Sequence, residues 1–135
     1  LLKSIFATED PVQHIALGRA VSNLRDEGIQ IIVSGMAVHN LWDMQWGLQG
    51  VKPYAKSFDE ALREAVGTED ELEREEKLVQ LLERPDARPA HGSLEHLLPI
   101  HVGAGAARGD RGERLWTLAE GSFSSAQFRF GDVPE

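Results

Sequence analysis

Three of the chain's five histidines, His91, His96 and His101, fall within eleven residues of a segment otherwise made of small and apolar residues, Ala90 to Ala107. Imidazole is a neutral nitrogen ligand for iron or zinc, and it also titrates near neutral pH, so this residue type serves both coordination and proton transfer. A further histidine, His39, follows Ile29-Gln30-Ile31-Ile32-Val33-Ser34-Gly35-Met36-Ala37-Val38. That run reads as a buried strand and a glycine turn, which predicts that His39 opens into the crevice at a strand's carboxyl end.

Spacing limits how these side chains can combine. On a regular helix His96 and His101 lie about 140° apart around the axis, too far to chelate one metal together. No pair of histidines has the four-residue step of the His-Glu-x-x-His zinc proteases. His96 is predicted in the first turn of a helix capped by Ser93, where the positive helix end favours the uncharged imidazole that a metal requires. The plainer reading of His91 and His101 is that of half-buried polar residues with hydrogen-bonded partners, and His14 reads the same way. Ser34 and Ser93 lack the Gly-x-Ser-x-Gly elbow of a hydrolase nucleophile. The three tryptophans and Tyr54 could line an aromatic pocket or simply fill core and rim.

The elements that must position these residues follow from patterning. A strand is predicted over residues 1–6. Glu9-Asp10-Pro11 then starts a helix whose apolar residues recur at three- and four-residue steps to Glu27, with Gly28 as the stop. Ile29–Val33 is predicted as a strand covered on both faces, and residues 40–56 as a long ordered loop. Ser57-Phe58-Asp59-Glu60 has capping-box form ahead of a helix through Val66. Residues 68–83 form a charged helix with Glu73 and Lys77 as an ion pair. The helix from Ser93 to Ala107 should kink at Pro99, and two strands close the chain over 115–120 and 122–130. The expected fold class is α/β, with helices packed on a mixed central sheet.

At 135 residues, 41% hydrophobic and 27% charged, the chain fits one ordinary globular unit. A net charge of −8 opposes binding to phosphate backbones, so nucleic acid is not an expected partner. The absence of cysteine excludes disulfides and thiolate ligands. Apolar stretches fall short of the roughly 20 residues a spanning helix needs, so no membrane partner is expected and a cytoplasmic location is the default. The opening Leu1-Leu2-Lys3-Ser4-Ile5-Phe6 reads as a strand in mid-fold, as expected of a fragment of something longer.

Taken in order, Ser34-Gly35-Met36-Ala37-Val38-His39-Asn40-Leu41 and Leu94-Glu95-His96-Leu97-Leu98-Pro99-Ile100-His101-Val102-Gly103-Ala104-Gly105-Ala106-Ala107 resemble the class III extradiol ring-cleavage dioxygenases. Within that LigB-like family the nearest likeness is to the 4,5-DOPA dioxygenase group. It extends from Gly18-Arg19-Ala20 through Ser57-Phe58-Asp59 to Gly121–Phe130, so residues 1–135 are expected to form the carboxyl-terminal part of the family's catalytic domain.

The resemblance implies one Fe(II), often zinc in this subgroup, with a small-molecule catechol and O2 as reactants. It places His96 at the metal, His39 as the acid–base histidine beside it, and His91 at the flank of the substrate pocket. The family draws its other two metal histidines from an amino-terminal half with no counterpart in this sequence, so little activity is expected of these residues alone. The alternative is a truncated, catalytically inactive relative that acts as a binding or interaction module. Chains could also pair as a homo-oligomer.

Overall fold

The computed structural model describes residues 3–45, 47 and 49–132. Five helices, α1 (Pro11–Val21), α2 (Pro53–Val66), α3 (Glu71–Gln80), α4 (Ala87–Ala90) and α5 (Pro99–Ala107), accompany five short strands. The strands are β1 (Val38–His39), β2 (Gly112–Trp116), β3 (Ala119–Glu120), β4 (Phe123–Ser124) and β5 (Gln127–Phe130). The class is mixed α/β. However, the strands gather in two small antiparallel sheets, β1-β4-β3 and β2-β5, and no single central sheet forms among the described residues.

The helix ends explain where the sequence reading and the structure part. At α1 the Asp10 carboxylate accepts from the amides of Val12 and Gln13, and Pro11 takes the first helical position, where its missing N–H costs nothing. The same proline logic governs two starts expected elsewhere. Pro53 opens α2 four residues before the expected Ser57 cap, and Pro99 opens α5 instead of kinking a longer helix. Ser93 and His96 therefore lie in the turns ahead of α5. The predicted Glu73–Lys77 pair forms at 2.7 Å in α3, which Asp70 caps by accepting from the Glu73 amide. The helix expected to reach Glu27 stops at Val21, and a 3-10 helix over Ser22–Arg25 leads to Gly28, whose φ of +76° is a conformation only glycine adopts without strain.

The expected strand Ile29–Val33 does not form. It has no neighbouring strand among the described residues to supply a ladder, and Ile32 stands 81% exposed instead of covered on both faces. Only its end is seated, with Val33 against Gly103 of α5. Of the predicted strand over residues 1–6, Leu1 and Leu2 lie outside the described residues, and Lys3–Phe6 is not a strand. The two expected closing strands are four short ones, β2 to β5, with a register shift between Arg114 and Trp116, after which Trp116 still pairs with Gln127.

The core joins α2, α3 and the start of α5 through Phe58, Leu62, Val66, Leu78, Leu97 and Leu98, all nearly inaccessible to solvent. Beside it, α1 and α5 touch backbone to backbone. A Cβ on Gly18 would lie 2.0 Å from the Val102 carbonyl oxygen, and one on Gly105 would lie 2.1 Å from that of Ile15. Arg74 is fully buried behind this pair. It donates to the Thr68 and Arg108 carbonyls while its guanidinium lies over the Phe130 ring.

Candidate functional site

The site starts with a glycine. The segment after Val33 runs so close to the turn ahead of α5 that a Cβ on Gly35 would meet the His96 carbonyl oxygen at 2.1 Å. That approach lets the Met36 amide donate to the same oxygen at 2.7 Å. Three residues on, His39 reaches the side of His96, and the two rings stack with centroids 4.2 Å apart and planes 29° from parallel.

His39 is held on two flanks. It pairs with Phe123 across the antiparallel β1–β4 register, and the Phe123 ring lies 5.7 Å from its own. On the other flank a parallel bridge joins it to His91. Behind β4, the buried Asp59 carboxylate of α2 accepts from Ser124 Oγ at 2.7 Å, Arg114 Nη1 at 2.6 Å and Thr117 Oγ1 at 3.1 Å. The strand that supports His39 is thus anchored through a charged hub to α2.

The loop that follows His39 is tied as firmly. Asn40 Nδ2 donates to the Pro89 carbonyl at 2.7 Å, and Asn40 Oδ1 accepts from the Trp42 amide at 2.9 Å. Further along, Tyr54 Oη and Lys52 Nζ both donate to the Asp43 carboxylate, at 2.8 and 3.2 Å. Burial and that carboxylate push the Tyr54 phenol up to about 12. Trp42 is 91% exposed and stands over Gly92, Trp116 is half-exposed, and Trp46 lies outside the described residues. The described tryptophans therefore do not line a common pocket.

Protonation at the pair has a direction. Burial lowers the His39 pKa below the usual imidazole value, and the charge of His96 lowers it further. A neutral His39 beside a partly exposed His96 is the outcome at pH 7. Next to them a cavity of about 390 Å³ is bounded by Met36, His96, Ile100, Leu115, Gln127 and Phe128. Its walls mix apolar side chains with polar groups in nearly equal share.

The other histidines lie elsewhere. His91, expected at the flank of a substrate pocket, is 1% exposed, and its two ring nitrogens lie 2.8 Å from the carbonyl oxygens of Ala37 and Ala87. Its edge meets the Phe58 ring at 4.6 Å, so the imidazole presents no free nitrogen to a ligand. His101 is buried with Nε2 3.0 Å from the Leu78 carbonyl, and desolvation brings its pKa down to about 4. His14 is buried beneath Phe6 with Nδ1 against the Asp10 carbonyl. Both fit the plain structural reading.

Among the described residues no group of three His, Asp or Glu side chains converges to hold a metal ion. His96 and His39 are the nitrogen donors that face one another, and Glu95 Oε1 lies 4.0 Å from His96 Nε2. The roles of Gly35, Phe123 and Asp59 escaped the sequence reading. For Gly35 the available signal was a glycine closing a β-branched run, a mark of close backbone approach.

Residues 2–128 match the family model described as the catalytic LigB subunit of aromatic ring-opening dioxygenase. The 4,5-DOPA dioxygenase extradiol of Mirabilis jalapa is 35% identical over 106 residues, covering 77% of this chain and 38% of that protein. The protein of the same name from Beta vulgaris is 37% identical over 100 residues, or 73% of this chain and 35% of its own length. The one from Escherichia coli strain K12 is 33% identical over 104 residues, or 76% and 38%. The crystal structure of the uncharacterized protein JW3007 from Escherichia coli K12 superposes with a TM-score of 0.77 at 29% identity, covering 87% of this chain and 49% of that one. This chain therefore spans less than half the length of each of these proteins.

Proposed function

Because the chain belongs to the LigB family of aromatic ring-opening dioxygenases, we propose that residues 1–135 form the carboxyl-terminal part of a catalytic domain that opens a catechol by extradiol cleavage with O2. DOPA is the substrate class suggested by the names of its relatives. The observation that carries this reading is the stacking of His39 on His96 at 4.2 Å, two imidazoles brought together by separate segments, with His96 lining the adjoining cavity.

In this reading His96, partly open to solvent, would be one ligand of a metal ion, which as Fe(II) would supply both the Lewis acidity that favours the catecholate and the redox chemistry that O2 requires, and as zinc only the first. One imidazole is not a facial ligand set, and the described residues do not complete one. His39 takes the proton of a catechol hydroxyl. Burial lowers the His39 pKa, which favours the neutral imidazole that can accept that proton. General acid–base help of this kind is worth about 10²–10⁴-fold when the ring is within hydrogen-bond reach. The apolar part of the cavity wall, Met36, Ile100, Leu115 and Phe128, suits the ring of the substrate.

The test uses the whole protein that carries this chain, loaded with Fe(II). Expected are oxygen uptake dependent on DOPA and a yellow ring-opened product. His39→Ala should keep bound metal and lose turnover, and His96→Ala should lose metal. A His39→Ala protein with full turnover, or a metal-loaded protein that consumes no oxygen with any catechol, overturns the proposal. The alternative reading is a non-catalytic relative that binds an aromatic ligand or a partner. That reading requires that the whole protein take up no iron even when iron is supplied.

A further inference from the structure

We propose that His91 is a positioning residue: its Nε2–H donates to the Ala37 carbonyl and so fixes the strand that carries His39 in place beside His96. This rests on the catalytic role given above to His39, and it removes His91 from the substrate pocket.

The His91 ring has fewer protons than acceptors. Burial lowers the His91 pKa, so the ring is neutral and carries one N–H. Two carbonyl oxygens, those of Ala37 and Ala87, lie 2.8 Å from its two nitrogens. Only one can receive the proton, and a buried carbonyl left without a donor costs about 1–3 kcal/mol.

The two acceptors differ in their alternatives. Ala87 opens the single turn of α4, and the His91 amide, which donates to the Arg88 carbonyl at 3.2 Å, stands four residues on, where a helix would aim it at Ala87. A small tightening of that turn serves both oxygens. Ala37 has no such substitute. It precedes β1, whose pairing with β4 starts at Val38, and it lies in no helix. Among the described residues His91 is its donor, so the proton belongs on Nε2.

The bond acts on the site through a short lever. Ala37 is two residues before His39, and the parallel bridge between His39 and His91 ties the same strand again. The ring that makes the bond cannot swing, because it is enclosed and its edge is set against Phe58. Without this tie, β1 is held from the β4 side and by the Met36 contact to the turn of His96. A displacement of roughly 1 Å at a catalytic group can cost about 10²-fold in rate.

Two substitutions separate the bonds. The amide nitrogen of glutamine reaches about as far from the backbone as Nε2, and that of asparagine about as far as Nδ1. His91→Gln thus keeps the Ala37 bond, and His91→Asn keeps the Ala87 bond. In the whole Fe(II)-loaded protein, His91→Gln should hold kcat near the wild-type value, while His91→Asn should lose about 10–100-fold in kcat with KM unchanged. A raised KM with kcat retained means that the ring touches substrate. Equal loss in both variants, or loss in neither, means that the Ala37 bond has no special role. Each of these results overturns the proposal.

Imidazole NMR supplies a readout that needs no turnover. His91→Gln should leave the His39 ring signals at their wild-type positions, and His91→Asn should move them. In the wild-type protein the slowly exchanging His91 proton should reside on Nε2, and a proton on Nδ1 overturns the proposal even if neither variant folds. If the wild-type protein opens no catechol, the proposed activity fails, while these spectra still decide whether His91 positions His39.

Discussion

Adding one methyl group at Gly35 tests how the histidine pair is assembled. In Gly35→Ala the new Cβ would lie 2.1 Å from the His96 carbonyl oxygen and 3.1 Å from Pro99 Cγ, whereas ordinary contact begins near 3.4 Å. The backbone oxygen cannot rotate away as a flexible side chain would, so the two segments must part by about 1 Å, the shortfall between those values. Overpacking of this kind costs about 1–3 kcal/mol. Parting also stretches the Met36–His96 hydrogen bond, now 2.7 Å, for a further ~0.5–1.5 kcal/mol. The expected sum is about 1.5–4.5 kcal/mol, which lowers a urea midpoint by roughly 0.5 M or more. Imidazole NMR should show the mutual ring-current shifts of His39 and His96 diminished. Gly109→Ala is the control, because a Cβ there meets nothing within 4 Å. If Gly35→Ala matched that control in midpoint and kept the ring shifts, the account of the site as resting on this backbone approach would be wrong.

Gly105→Ala should destabilise by about 2 kcal/mol or more, since its Cβ would lie 2.1 Å from the Ile15 carbonyl oxygen, and thermal unfolding would register it. Asp59→Ala removes the acceptor shared by Ser124, Thr117 and Arg114. Because Glu60 still pairs with Arg114 at 2.7 Å, the expected loss is about 3 kcal/mol, at the low end for a broken buried pair. Stability should also fall as pH drops from about 6.5. His101 stays neutral in the fold down to about 4 while the unfolded chain protonates, so its contribution is complete above 6.5, declines through that window and totals up to ~3 kcal/mol. Denaturant titrations at pH 7 and 5 should show the decline, and His101→Gln should reduce it. An undiminished slope in that variant would assign the effect to other groups.

What the sequence disclosed and withheld follows from the range of the forces involved. Capping is local, so Asp10-Pro11 marked the start of α1 directly, whereas Gly28 marked the turn after a 3-10 helix and not the end of α1 at Val21. The Glu73–Lys77 pair was equally plain, because a helix fixes its own neighbours. Pro53 and Pro99 carried the same local signal as Pro11, which was outweighed by a capping-box pattern at Ser57 and by an assumed longer helix before Ala107. The run Ile29–Val33 has every property of a covered strand, but a strand needs a partner, and pairing is not written in the residues that seek it. His39 and His96 were identified by their settings, while their stacking distance depends on Gly35, Phe123 and Asp59, which are remote from both or silent in pattern. Burial of His91 was open to either reading until the carbonyls of Ala37 and Ala87 fell on its two nitrogens.

The direct backbone seating of α1 on α5 reaches beyond packing. With no side-chain layer between Gly18 and Val102 or between Gly105 and Ile15, there is nothing soft to absorb a push. The two helices must then travel as a single strut, and Pro99, at the tip of that strut, adjoins the turn that presents His96. Strain applied at the far end of α1 is therefore delivered to the turn that carries His96, so substitutions remote from the cavity can shift that imidazole without ever touching it.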